Sequence, residues 1–177
     1  MTNPGCEVPP NGRSDRLVVL SGQIDFESTL PVISKILSLA NEGGDPIVLQ
    51  ITSPGGCLAA GFALIDTMNH VAAPVFTVAV GSAASMGALL LLNGRLGYRY
   101  ALPHTRILLH HSRGGASGKL EEISSAVSMH RQVDRDVQDL ILSRTKIPKR
   151  QLRSLLGKEK FLSAPEALEL GLIDHIL

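Results

Sequence analysis

An α/β domain with a largely parallel sheet is predicted for this 177-residue chain by three observations. Short β-branched runs alternate with helix-period segments, which is the signature of βαβ units. Glycines and small residues cluster where the apolar runs end, at Ser53-Pro54-Gly55-Gly56 and at Gly81-Ser82-Ala83-Ala84-Ser85. The length suits one domain with a single sizeable core. In such folds the chemistry lies where strands end and helices begin.

The first run, residues 17–21 (LVVLS), reads as a strand. Asp25 then caps a helix to about Ala40, stopped by Gly43 and Gly44. Residues 47–52 form a second strand, followed by a Pro-Gly-Gly turn and a helix over 57–70. Residues 75–80 form a third strand, and the helix over 86–92 carries Ser85 at its start. Residues 98–101 and 106–110 read as short strands. A long helix runs from Lys119 to about Arg144, its apolar residues at Leu120, Ile123, Val127, Val133, Val137, Leu140 and Ile141 in steps of mostly three and four. A short helix over 149–156 follows. Ser163, with Glu166 three residues on, makes a capping box. Residues 172–177 close the chain as a last strand.

Composition narrows the function. Hydrophobic residues make up 44% and charged residues 19%, as in a globular protein. Seventeen basic and sixteen acidic residues give a formal net charge of +1. That balance leaves no electrostatic footprint for nucleic acid or an anionic membrane. Residues 71–94 carry no charge and match a membrane span in length, but Pro74 and the Gly81–Ser85 run divide them into a strand and a helix. The first fifteen residues are polar and rich in Pro and Gly, with no apolar core of a secretory signal, so they are expected to form a flexible arm. Cys6 and Cys57 have no metal-type spacing and are expected as reduced thiols in a cytoplasmic protein. No metal or bound cofactor is expected.

Three places could carry chemistry. Ala83-Ala84-Ser85-Met86-Gly87 joins a strand to a helix through small residues, which resembles a nucleophile elbow with Ala83 in place of its first glycine. There the Met86 N–H points toward a developing oxyanion. The same small residues equally suit tight helix packing. Ser53-Pro54-Gly55-Gly56 frees backbone N–H groups to turn into a pocket, as an oxyanion donor or as an ordinary turn. His110 and His111 end the apolar run 107–109, and strand alternation sends them to opposite faces. One of them can act as a general base, and the pattern does not choose which.

Taken together, SPGG at 53–56, ASMGA at 84–88, LPHTRILLHH at 102–111, the glycines at 114–118 and FLSAPEALELGLIDHIL at 161–177 resemble the ClpP family, the proteolytic subunit of ATP-dependent Clp proteases. The resemblance runs in register from about Arg16 to the last residue. It implies a crotonase-like fold of repeated ββα and βαβ units over 16–177, with a protruding handle over about 111–144: a loop and strand leading into a long helix. It implies two heptameric rings stacked as a tetradecamer, unfolded polypeptide as substrate, and ATP consumed only by a partner AAA+ unfoldase. It places the nucleophile at Ser85, the base at His110, and the oxyanion donors at the Gly56 and Met86 N–H groups.

Two departures stand out. Counting back from Phe161 puts the family's usual triad acid at Leu155, and its ring-pairing charges at Lys158 and Glu159. Candidates to replace it are Glu159, an acid of the 134–139 stretch such as Asp134 or Asp136, and a backbone carbonyl. Family aromatics that line the unfoldase-docking pocket fall on Val48 and Gln50. Alongside a serine endopeptidase subunit, the sequence therefore admits a weakly active or non-catalytic ring subunit that assembles with an active paralogue. An acyl-CoA enzyme of the wider crotonase-like fold is the third reading, and it has no use for a serine–histidine pair.

Overall fold

Three long strands pair in parallel to form the body of the sheet: β1 (Leu17–Ile24), β2 (Ile47–Gly56) and β3 (Val75–Ala84). The computed structural model describes residues 14–177. Most of the expected arm and Cys6 lie outside the described residues. The arm's last two positions, with Arg16, form a short 3-10 helix.

β3 pairs with two strands in succession. β4 (Arg99–Ala101) lies along residues 77–79, and β5 (Arg106–Leu108) along residues 82–84. β7 (His175–Ile176) continues the sheet beyond β4, and β6 (Leu162–Ser163) pairs antiparallel with β5. The expected largely parallel sheet is therefore present.

Among the described residues six α-helices complete the fold: α1 (Phe26–Glu42), α2 (Leu58–His70), α3 (Met86–Leu92), α4 (Leu120–Arg144), α5 (Lys149–Leu156) and α6 (Ala164–Glu169). Asp25 caps α1 as predicted, accepting from the Ser28 N–H at 2.8 Å. The Ser163–Glu166 capping box also forms. Its Glu166 carboxyl is pulled down to about 2 by hydrogen bonds, first from Lys160 and then from Ser163.

The strand ends differ from expectation in one consistent way. Residues 54–56 were expected to turn, and the third strand to end at Val80, yet 53–56 and 81–84 prolong β2 and β3. Their polar backbone is satisfied by neighbouring strands, with Gln23 and Ile24 opposite Gly55 and Gly56, and β5 opposite 82–84. Elsewhere strands are shorter: β5 stops at Leu108, before both histidines, and β7 has only two residues. No strand forms over 111–118, so the handle is a loop running into α4, without the strand that the resemblance implied.

The core lies between the sheet and α1–α3, with Leu20, Leu49, Ile51, Leu64, Leu90 and Leu91 essentially sealed. The uncharged 71–94 stretch becomes β3 and α3. Among the described residues no helix is long and apolar enough to cross a membrane. Only the C-terminal part of α4 is rooted, through Val137 and Ile141. Its first turns stand off the body, leaving Leu120 82% and Met129 68% exposed.

Two buried arginines, neither singled out by the sequence pattern, tie loops to the sheet. Arg16 donates to the carbonyls of Leu39 and Asp45, at 3.1 and 2.8 Å, and so satisfies the end of α1. Arg99 makes a bidentate pair with Asp174, at 2.6 and 2.8 Å, and donates to the Arg144 carbonyl. Partial burial pushes the Asp174 carboxyl up, but Arg99's hydrogen bonds and charge, with the Gly97 N–H, outweigh it and hold the pKa below the ordinary aspartate value. A depressed carboxyl pKa adds stability at neutral pH, and that stability is lost as pH falls through the folded-state value. Thermal melts should therefore lose stability below about pH 4. Asp174→Asn should start less stable at pH 7 and show a shallower acid decline; parallel pH profiles would contradict this.

Candidate active site

Ser85 sits at the junction of β3 and α3 with φ 54° and ψ −120°, a conformation that non-glycine residues rarely adopt. Its N–H donates to the Leu108 carbonyl at 2.8 Å, which fastens the turn to β5. The chain is thus bent so that the serine projects at the start of α3. Met86, the first helical residue, is fully buried, and its side chain lies where a Cβ on Gly61 of α2 would be, 2.2 Å away. A first-turn N–H has no intrahelical acceptor, so the Met86 N–H is free to serve another group.

The Gly55-Gly56 strand end lies directly beside this turn. A Cβ on Gly55 would meet Ser85 Cβ at 2.6 Å and the Ala84 carbonyl at 2.8 Å. A Cβ on Gly56 would fall 2.1 Å from the Ile24 carbonyl oxygen. Both glycines have positive φ. The strand therefore needs glycine on one side to approach the serine and on the other to pair with β1.

Ser85, His110 and Gly56 line one cavity of about 230 Å³. Its walls include Leu58, Leu89, Val137 and Ile141, and Arg113 stands at it as well. These predicted residues are thus brought together from the end of β2, the β3–α3 junction and the loop after β5. Among the described residues no hydrogen bond yet joins the Ser85 hydroxyl to the His110 ring. Such bonds often tighten only when substrate is bound.

His110 and His111 divide as the alternation argument required, although both lie beyond the end of β5. His110 is half-buried against the cavity, whereas the His111 side chain is 46% exposed and faces Asp134 of α4, Nδ1 to Oδ1 3.6 Å. The Nδ1 atom of His110 is sealed from solvent and has no hydrogen-bond partner among the described residues. That is the atom an orienting acid would hold.

The candidate acids separate clearly. Leu155 is half-buried and lines a different cavity, with Lys158, Lys160, Leu162 and Leu170. Asp134 accepts from Ser112 at 3.0 Å and Gln138 at 2.8 Å. Burial raises its pKa, but these bonds and the His111 charge prevail and lower it. Asp136 is exposed and accepts from Gln132 on its own helix. Glu159 pairs with Arg113, whose hydrogen bond and then charge lower the glutamate pKa, and the charge of His110 adds a smaller pull in the same direction. Of these carboxylates, Glu159 is the one that feels His110.

Sequence reasoning missed Arg113 and the apolar wall. Arg113 lies in an irregular loop, and its partner is 46 residues away, so no local pattern marks it. The wall residues were read only as core. Cys57, which caps α2 beside Gly56, is a free and exposed thiol. Among the described residues no group of three or more His, Cys, Asp or Glu side chains could hold a metal ion.

A serine on a strained turn, a histidine in the same cavity and paired backbone N–H groups can together carry out acyl transfer. A family model described as Clp protease matches residues 12–177, which includes every one of these groups.

Proposed function

The chain belongs to the Clp protease family, and from that premise we propose that it is a serine endopeptidase subunit acting through Ser85 and His110. The observation that carries this reading is the strained Ser85 turn opening into the cavity that His110 and Gly56 also line. The Ser85 oxygen attacks the scissile carbonyl as its proton passes to Nε2 of His110. The oxyanion accepts hydrogen bonds from the Gly56 and Met86 N–H groups. His110 returns the proton to the leaving amine, an acyl-serine forms, and water releases it by the reverse sequence. No step calls for a metal or bound cofactor.

The apolar wall of Leu58, Leu89, Val137 and Ile141 suits an apolar side chain beside the scissile bond. The exposed apolar residues at the start of α4 suit burial between subunits, in keeping with stacked heptameric rings. Unfolded polypeptide would reach the chamber through a partner AAA+ ATPase, which alone would use ATP. Exposed Leu17 and Val19 lie beside Val48 and the polar Gln50 on the outer sheet face, at the two positions where the family's docking pocket carries aromatics.

Fluorophosphonate labelling combined with native mass measurement tests the proposal. Wild type should label in the ring-assembled state and cleave a fluorogenic peptide with an apolar residue before the scissile bond. Ser85→Ala should do neither. Absence of labelling in every assembly state would instead favour a non-catalytic ring subunit, the reading that the unpartnered His110 Nδ1 keeps open. Turnover of an acyl-CoA thioester surviving Ser85→Ala would favour the acyl-CoA reading.

A further inference from the structure

The cavity that holds Ser85 and His110 is apolar over much of its wall and carries one fixed charge. Among the described residues that line it, Arg113 is the one that stays charged at every working pH, and none is a carboxylate. Arg113 is placed there by its neighbours in the loop after β5. Ser112 donates to Asp134 of α4 at 3.0 Å. Gly114 lies so close to α4 that a Cβ on it would fall 2.8 Å from the His130 ring. The loop is thus fastened to α4 on both sides of Arg113, while the Arg113 side chain itself is 71% exposed. Its present partner shows which chemistry it accepts: the guanidinium pairs with the carboxylate of Glu159, a side chain 57% exposed and outside the cavity lining. An exposed ion pair is weak, so a second carboxylate brought into the cavity exchanges for Glu159 at little cost.

Resting on the peptidase reading above, we infer that Arg113 is a specificity-determining residue that takes a carboxylate of the bound polypeptide, so that the subunit prefers substrates with an acidic group close to the scissile bond. The planar guanidinium suits two-point recognition of a carboxylate. Polypeptide lying in the cavity shields the new pair from water and strengthens it relative to the exposed pair it replaces. A lysine in the same place meets like charge and is disfavoured. Glu159 competes for the same guanidinium and so sets how strong the preference is. The carboxylate has two chemical sources, an Asp or Glu side chain and the C-terminus of a peptide. Because the contact forms with bound substrate and is unchanged along the reaction, it acts mainly on KM.

Peptides that share an apolar residue before the scissile bond and carry Glu, Gln or Lys at the flanking positions, each as a C-terminal acid or amide, test this by hydrolysis. In wild type, kcat/KM should favour Glu over Gln, or acid over amide, by about fivefold, and the ratio should shrink as salt is raised. Arg113→Gln should bring the ratio to about one, Arg113→Lys should keep part of it, and Arg113→Glu should invert it in favour of the Lys peptide. Glu159→Gln removes the competitor and should raise it by about twofold. Comparing peptides within each protein cancels general changes in activity or assembly. A Glu-over-Gln difference assigns the carboxylate to a side chain, and an acid-over-amide difference assigns it to the peptide terminus. Ratios near one for both sources in wild type overturn the inference, as does an acidic preference that survives both Arg113→Gln and Arg113→Glu. A readout free of turnover is fluorescence anisotropy of the same labelled peptides with the Ser85→Ala protein. The acidic peptide should bind about fivefold more tightly than its neutral counterpart; equal affinities, or binding of neither, overturn the inference. Fluorophosphonate labelling of wild type judges the peptidase reading by itself, because an unreactive serine sinks that reading whatever the anisotropy gives.

Discussion

Replacing Ser85 with alanine is expected to lower peptide hydrolysis by about 10²-fold or more and leave the fold standing, while replacing it with glycine is expected to lower hydrolysis equally and give a more stable fold than alanine. The activity loss has a size that discriminates between states of the site. In an oriented serine–histidine site, removing the serine costs about 10⁶-fold, and removing the acid alone costs about 10⁴-fold. If His110 has no orienter in the assembled protein, Ser85→Ala can therefore lower the rate by only about 10²-fold. If an orienting group engages His110 in the assembled protein, the loss approaches the full range. The stability effect follows from φ 54°, which a Cβ makes costly by about 1–3 kcal/mol. Alanine keeps that strain. Glycine removes it, at the expense of about 0.4–1 kcal/mol of extra freedom in the unfolded chain. A net gain of about 1 kcal/mol over Ser85→Ala corresponds to about 2–4 °C in a chain of this size. Equal melting temperatures for the two variants would show that the turn is not strained.

The serine was legible because its conformation imposes a local composition. A strand that must bend sharply into a helix with close backbone contacts requires small residues around the bend, and Ala83, Ala84 and Gly87 record that need. The same rule misled at the strand ends. Gly55-Gly56 look like turn residues, yet glycine also permits a strand to approach a neighbouring backbone, and that use prevails there, whereas Gly81 continues β3 at φ 72° with nothing within 4 Å of its Cβ position. His110 against His111 was half legible. The apolar run 107–109 marked the place, but β5 ends at Leu108, so the opposite orientations arise from the loop and its contacts and not from strand pleating.

The acid was the least legible part of the site, and the reason is physical. An orienting carboxylate acts across space, so no local pattern in the sequence marks it. Leu155, reached by counting along the chain, points into a different cavity, and Glu159 is the residue whose charge reaches His110. Arg113 shows the same limit. An arginine in an irregular loop carries no periodic signal, yet it decides where the Glu159 carboxylate rests.

Gly55→Ala is expected to be the most damaging single methyl addition near the site, and comparison with Gly22→Ala isolates why. Both glycines have positive φ, 99° and 86°, so alanine meets a backbone cost at each. At Gly22 a Cβ meets nothing within 4 Å, and only that backbone term applies, about 1 kcal/mol. At Gly55 the new carbon would lie 2.6 Å from Ser85 Cβ, 2.8 Å from the Ala84 carbonyl and 3.2 Å from the Met86 nitrogen. None of these is the end of a flexible side chain, so the strand and the serine turn must separate. Overpacking of this kind adds about 1–3 kcal/mol. The separation moves the nucleophile and an oxyanion donor together, and a shift of about 1 Å at reacting groups costs about 10²-fold in rate. Gly55→Ala should thus lose several degrees of melting temperature and about 10²-fold or more in kcat, while Gly22→Ala loses stability and keeps its kcat. If Gly55→Ala hydrolysed peptide at the Gly22→Ala rate, the close approach of the SPGG strand to Ser85 would not be part of the catalytic geometry.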